Sequence, residues 1–119
     1  MGKVYLANAF SLNMLNNFPV DLTVVKIDKE EFCSDIQDSM KYEEFVNAIG
    51  HDSTVNLVNK LCGTNLQKNR VEVKMNEGDR ALIVQPLQRL EEGKVLSDEE
   101  IMRMLKEGKI VFYKVINEY

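Results

Sequence analysis

Val4-Tyr5-Leu6-Ala7-Asn8-Ala9, close to the start of the chain, is a short and nearly all-apolar run. A brief apolar run without polar alternation is typical of a central β-strand that is covered on both faces. A strand of this kind fits a layered fold in which helices pack on a sheet. The sequence therefore predicts an α/β protein whose first strand covers residues 4–9.

Local sequence signals predict the elements that follow this strand. Asp28 with Glu31, and Ser97 with Glu100, have the spacing of helix-capping boxes, and Gly63 follows a helical pattern as its C-terminal stop. Residues 22–27 and 110–116 read as strands, and residues 53–62 read as a helix capped by Asp52 or Ser53. Three further predictions are a short helix over residues 41–49, a strand over residues 71–75, and a turn at 76–79 that joins it to residues 81–87 as a hairpin.

Composition limits the class of protein. The chain has 119 residues, of which 45% are hydrophobic. This predicts a single domain over residues 1–119, with a mixed sheet of about five strands flanked by helices. The net charge of −4 argues against a protein that coats DNA or RNA, because such binding depends on a basic face. No signal peptide, membrane span or metal motif is visible, so we expect no membrane partner, no metal and no cofactor.

The two cysteines, Cys33 and Cys62, are far apart in the sequence and belong to no CxxC or Cys/His cluster. Two reduced and mostly buried thiols are the expected state of such a pair, which indicates a cytosolic setting.

The only histidine, His51, stands in Ala48-Ile49-Gly50-His51-Asp52-Ser53-Thr54, where a glycine precedes the start of a helix. Helix N-termini bind anions because their first backbone N–H groups lack helical partners and the macrodipole adds partial positive charge. An imidazole at this place can donate a proton to a bound phosphate. A structural role for His51 is the alternative reading.

A few other polar residues have no evident structural duty. Asn8 can contact a ligand at the end of its strand or cap the following turn, and Arg70 can clamp a phosphate or remain a solvated strand-end arginine. Gln85, Arg89 and Glu92 cluster where the chain leaves the predicted hairpin, and by themselves they are consistent with a solvated loop.

Four segments carry a resemblance to a known family. They are Val4-Tyr5-Leu6-Ala7-Asn8-Ala9-Phe10-Ser11, Ile49-Gly50-His51-Asp52-Ser53-Thr54, Gln67-Lys68-Asn69-Arg70-Val71-Glu72 and Gln88-Arg89-Leu90-Glu91-Glu92-Gly93. The four segments occur in this order along the chain. With them, the chain resembles the viral type III anti-CRISPR ring nucleases, which are small proteins of archaeal viruses, and the resemblance runs nearly end to end. The resemblance implies a homodimer that binds cyclic tetra-adenylate and cuts it without a metal in the cytoplasm of the infected archaeal host.

The same resemblance implies a set of site residues. His51 matches the catalytic histidine and Glu92 the assisting carboxylate, while the ligand-holding positions match Asn8, Ser11, Asn13, Arg70, Gln85 and Arg89. In this reaction the ribose 2′-OH of the substrate is the nucleophile that attacks the adjacent phosphorus. The protein must therefore provide only orientation, charge stabilisation and a proton for the leaving 5′-oxygen. His51 is the expected acid, and linear di-adenylates with 2′,3′-cyclic phosphate ends are the expected products.

Two other functions stay open at this point. One is a non-catalytic protein that sequesters the cyclic nucleotide, against which the matched His51 and Glu92 argue. The other is a viral regulator that contacts DNA or another protein, which the acidic balance and the lack of a basic recognition helix disfavour.

Overall fold

The computed structural model describes residues 2–42, 44–88, 90 and 95–118. Five strands and three α-helices follow one another as β1 (Lys3–Ala7), β2 (Leu22–Ile27), α1 (Lys29–Tyr42), β3 (Glu44–Asn47), α2 (Asp52–Cys62), β4 (Arg80–Pro86), α3 (Asp98–Lys106) and β5 (Ile110–Asn117). A single 3-10 turn (Leu12–Met14) lies between β1 and β2. Within the described ranges, no helix is both long and apolar enough to span a membrane.

The five strands form one mixed sheet in the order β2-β5-β4-β1-β3. β3, β1 and β4 run parallel to one another, whereas β5 pairs antiparallel with both β4 and β2. The predicted α/β class and the predicted number of strands are therefore confirmed. β1 has a paired strand on each side, as its apolar sequence indicated.

The local signals for three helix ends are also confirmed. The Asp28 carboxylate accepts a hydrogen bond of 2.8 Å from the backbone N–H of Glu31, and Ser97 and Glu100 form a reciprocal capping box before α3. Gly63 ends α2 in the left-handed conformation, with φ of 65°. Each of these signals acts over three or four residues, which is why the sequence alone reveals it.

The predicted helix over residues 41–49 is wrong. α1 continues to Tyr42, and Glu44–Asn47 form the edge strand β3, which pairs in parallel register with residues 3–6 of β1. Phe45 packs against the apolar cluster on one face of the sheet, and Val46 packs against the cluster on the other face. This alternation is a strand pattern, and pairing with β1 fixes it.

The predicted hairpin over residues 71–87 is also wrong. Residues 71–75 form no ladder strand, and Met75 makes one isolated bridge to Leu15. Val73 and Met75 are nevertheless buried, because this extended segment lies across the sheet. An extended segment packed on a sheet alternates in the same way as a paired strand, so periodicity could not distinguish the two.

The two faces of the sheet are covered differently. Helices α1, α2 and α3 pack on one face around the fully buried Phe32, Ile36 and Val58. The opposite face is covered by the segments that precede β2 and β4, through residues such as Leu15 and Met75. All three helices therefore lie on the same side of the sheet.

The prediction of two reduced thiols is contradicted by a Cys33–Cys62 disulfide that joins α1 to the last residue of α2. Packing of the two helices brings the two Cα atoms to 5.1 Å, which is within the range that a disulfide can bridge. A sequence separation of 29 residues gave no indication of this contact. The cytosolic setting inferred from reduced thiols therefore loses that support.

Candidate functional site

The candidate site lies at the carboxyl edge of the parallel part of the sheet. β1, β3 and β4 end at the same edge, so the segments that follow them meet there. A cleft of about 420 Å³ opens at this edge. It is lined by Asn8, His51, Thr54, Gln85, Pro86, Gln88 and Leu90. Its volume lies within the range of small-molecule sites.

His51 is the N-cap residue of α2, with φ of −134° and ψ of 119°. Its carbonyl oxygen accepts the first helical hydrogen bond, at 3.1 Å from the N–H of Val55. The imidazole does not cap the helix and instead lines the cleft. The cap was predicted at Asp52 or Ser53, so the helix begins one or two residues earlier than expected, and His51 lies between β3 and α2 rather than between two helices.

The position of His51 brings the amino end of α2 to the cleft. The first backbone N–H groups of a helix have no helical partner and concentrate partial positive charge. Because His51 is the cap residue and Thr54 follows in the first turn, the cleft is bordered by this end of the helix. An anionic group in the cleft would meet the helix terminus and the imidazole together.

Two of the other predicted residues share the cleft with His51. Asn8 directly follows β1, and Gln85 is the penultimate residue of β4. Both side chains are exposed and line the cleft. Asn8 lies 43 positions before His51 in the sequence (51 − 8), and Gln85 lies 34 positions after it (85 − 51). The sheet thus brings together three predicted residues that are far apart in the chain. Asn8 and Gln85 both carry amides, which can donate and accept hydrogen bonds with a nucleobase.

Arg70 lies beside this group without lining the cleft. Its Nη2 donates a hydrogen bond of 3.0 Å to the carbonyl oxygen of Gly50, the residue before His51. Lys68, two residues earlier, forms an ion pair of 3.5 Å with Asp52 in the first turn of α2. The segment after α2 therefore places a guanidinium next to the histidine turn.

Ser11 and Asn13 do not line the cleft. Both are exposed on the loop that follows Asn8. Ser11 is the N-cap residue of the 3-10 turn, and the Asn13 carbonyl oxygen accepts a hydrogen bond of 2.9 Å from Lys74. This loop packs over the sheet face opposite the helices, so one copy of the chain does not bring these two residues to His51.

The predicted Arg89 and Glu92 lie outside the described residues. Gln88 and Leu90, on either side of Arg89, do line the cleft. Sequence reasoning did not assign Gln88, Leu90 or Thr54 to the site. Thr54 is nearly fully buried, at 3% exposure, and its spacing of three from His51 on one helix was the signal that could have revealed it.

The fold and the cleft define a class: a small α/β protein with a histidine at a helix N-terminus, facing a ligand-sized cleft at the carboxyl edge of parallel strands. The sequence profile of the STIV B116-like family matches residues 4–113. The chain therefore belongs to the STIV B116-like family of small archaeal-virus proteins.

Individual relatives agree with this assignment. The chain is 47% identical over 109 residues to an uncharacterized protein, ORF116, of Acidianus filamentous virus 1 (isolate United States/Yellowstone), covering 92% of this chain and 90% of the relative. It is 38% identical over 73 residues to the uncharacterized protein ORF117 of Acidianus two-tailed virus, covering 61% of each. The solved structure of B116 of Sulfolobus turreted icosahedral virus superposes with a TM-score of 0.92 at 62% identity, covering 98% of this chain and 100% of that one.

Proposed function

We propose that this protein is a ring nuclease that binds cyclic tetra-adenylate and cleaves it to linear di-adenylates with 2′,3′-cyclic phosphate ends. The observation that carries the proposal is His51 at the N-cap of α2, lining one cleft with the amides of Asn8 and Gln85. A helix N-terminus attracts phosphate, amides suit adenine, and imidazole suits proton transfer near neutral pH. The resemblance of the four motif segments to anti-CRISPR ring nucleases supports the same conclusion.

The proposed reaction uses the substrate's own nucleophile. The ribose 2′-oxygen loses its proton to solvent water and forms a bond to the adjacent phosphorus, while the bond from phosphorus to the 5′-oxygen breaks. His51 donates the proton that the leaving 5′-oxygen needs, which is general-acid catalysis worth about 10²–10⁴-fold. Glu92 is the proposed assisting carboxylate. Because the 2′-OH supplies the nucleophile, the chemistry requires no metal.

A homodimer is part of the proposal. One cleft of about 420 Å³ accommodates only part of a four-nucleotide ring. An isologous dimer would present two copies of His51 to opposite phosphodiesters, and two cuts would yield two equal halves. Destruction of cyclic tetra-adenylate in the cytoplasm of the infected cell would silence the host's type III CRISPR signalling, in which it is the proposed second messenger.

The test is to incubate the purified protein with cyclic tetra-adenylate in EDTA and to identify the products by mass spectrometry. We expect di-adenylate with a cyclic phosphate end, and light scattering should report twice the mass of one chain. Recovery of intact ring bound to the protein would instead indicate a sequestering protein. Absence of both binding and turnover, or tight salt-sensitive binding to duplex DNA alone, would overturn the proposal.

A further inference from the structure

Two asparagines join the segment that follows α2 to the turn that carries His51. Nδ2 of Asn47 donates a hydrogen bond of 2.6 Å to the carbonyl oxygen of Gln67, and Nδ2 of Asn69 donates one of 2.7 Å to the carbonyl oxygen of Asn47. Each amide thus reaches across to the other segment. We call Asn47 and Asn69 the asparagine clasp.

The clasp also fixes the residue between β3 and the histidine turn. The backbone N–H of Ile49 donates to Oδ1 of Asn47 at 3.1 Å, and the carbonyl oxygen of Ile49 accepts from the backbone N–H of Asn69 at 2.8 Å. The Ile49 side chain is fully buried in the core under the helices. Both backbone polar groups and the side chain of Ile49 are therefore held, two residues before His51.

We propose that Asn47 and Asn69 are positioning residues that set the place of the His51 imidazole in the cleft. Residues 48–51 have no regular secondary structure. The Ala48 N–H donates to the Leu6 carbonyl oxygen of β1 at 2.8 Å, and the His51 carbonyl oxygen accepts from Val55 of α2 at 3.1 Å, so these bonds hold the two ends of the stretch. Between them, the backbone of Ile49 is held by Asn47 and Asn69. For its kinetic consequences the proposal depends on the proposed nuclease function, because a proton donor must lie within hydrogen-bond reach of the leaving oxygen.

The test compares two clasp variants with a matched control. Asn69→Ala removes the amide donor to Asn47, and Asn47→Asp keeps the acceptor for Ile49 but loses the donor to Gln67. Asn59→Ala is the control. Asn59 holds the other end of the same segment, through bonds of 2.9 Å to the Leu66 carbonyl oxygen and 2.8 Å from the Leu66 N–H.

Both clasp variants should lower kcat for cyclic tetra-adenylate by about ten- to a hundredfold, because a displacement of about 1 Å at a catalytic group has effects of this size. KM should change less than about threefold. Asn59→Ala should lower the melting temperature by a similar amount to the clasp variants while leaving kcat within about twofold of the parent. A kcat of folded Asn69→Ala equal to that of the parent would overturn the proposal.

A second measurement does not depend on nuclease activity. His51 is the only histidine, so its ring C–H resonances in an NMR spectrum belong to one residue without ambiguity. We expect both clasp variants to shift or broaden these resonances and Asn59→Ala to leave them in place. If the parent protein cleaved nothing, the proposed function would fail, yet the clasp would still be tested here. Unchanged His51 resonances in both clasp variants would refute the positioning role.

Discussion

The guanidinium of Arg70 donates a hydrogen bond of 3.0 Å to the carbonyl oxygen of Gly50. A Cβ atom at Gly50 would lie 3.0 Å from Nε of Arg70 and 3.1 Å from its Cβ and Cγ. The absence of a side chain at Gly50 therefore lets the arginine lie flat against the turn that precedes His51. This contact is the structural basis for a cation beside the histidine.

Gly50→Ala should displace the exposed Arg70 side chain without unfolding the protein, because Nε can move into solvent and the Cβ and Cγ atoms, at 3.1 Å, must give by only about a few tenths of an ångström. Loss of one charge-assisted hydrogen bond to a ligand phosphate is worth about 1.5–3 kcal/mol, so affinity for cyclic tetra-adenylate should fall about tenfold or more. Isothermal titration calorimetry measures this change, and Arg70→Ala is the matched variant. Undiminished affinity in both variants would remove Arg70 from the site.

His51→Ala should separate binding from cleavage. We expect the variant to bind cyclic tetra-adenylate within about threefold of the parent affinity while its cleavage rate falls by at least about 100-fold, since the general acid is lost. Thr54→Val is the comparison variant, because it changes a residue one helical turn away in the same cleft but keeps the imidazole. Undiminished cleavage by His51→Ala would refute the acid role.

The Cys33–Cys62 disulfide should contribute substantially to stability. Closing a loop between residues 29 positions apart restricts the unfolded chain, which corresponds to about 3–4 kcal/mol at 25 °C in the chain-entropy description. The double variant Cys33→Ala/Cys62→Ala should therefore unfold at lower denaturant concentration than the parent. Adding a reductant to the parent should produce a comparable loss and should not affect the double variant. A midpoint insensitive to reductant would show that the bridge is absent in solution.

Lys114 should make stability depend on alkaline pH. Hydrogen bonds to Asp35, at 2.8 Å, and to Glu31, at 3.2 Å, raise the pKa of this lysine above its usual value, although partial burial opposes them. Because the pKa is raised on folding, the stabilisation is fully present below the unfolded value of about 10.4 and is lost as pH rises through the folded value.

The check is a denaturation series between pH 8 and pH 12 for the parent and for Lys114→Met. At pH 8 the variant should be less stable by about 1–2 kcal/mol, because α1 loses its tie to β5. The difference between the two proteins should shrink above the folded pKa. A constant difference across the series would contradict the assignment.

Local sequence signals determined a large part of this fold. The apolar run at β1, the strand at residues 22–27, the capping residues Asp28 and Ser97, and the stop at Gly63 are all confirmed. Each depends on residues within one or two turns of the chain, so no distant partner is needed to specify it. The place of His51 at a helix start was predictable for the same reason.

The tertiary structure decided the features that depend on contacts between residues distant in the sequence. Glu44–Asn47 became a strand because β1 offers an open edge. Residues 71–75 do not pair with β4 because β1 and β5 occupy both of its edges, and only Met75 makes a bridge, to Leu15. Packing of α1 against α2 brought Cys33 and Cys62 together. The sequence predicted a histidine at a helix terminus. Only the parallel strands, which end at one edge of the sheet, placed Asn8 and Gln85 around this histidine. The reason is that the three residues are distant from one another in the chain, so no local signal relates them.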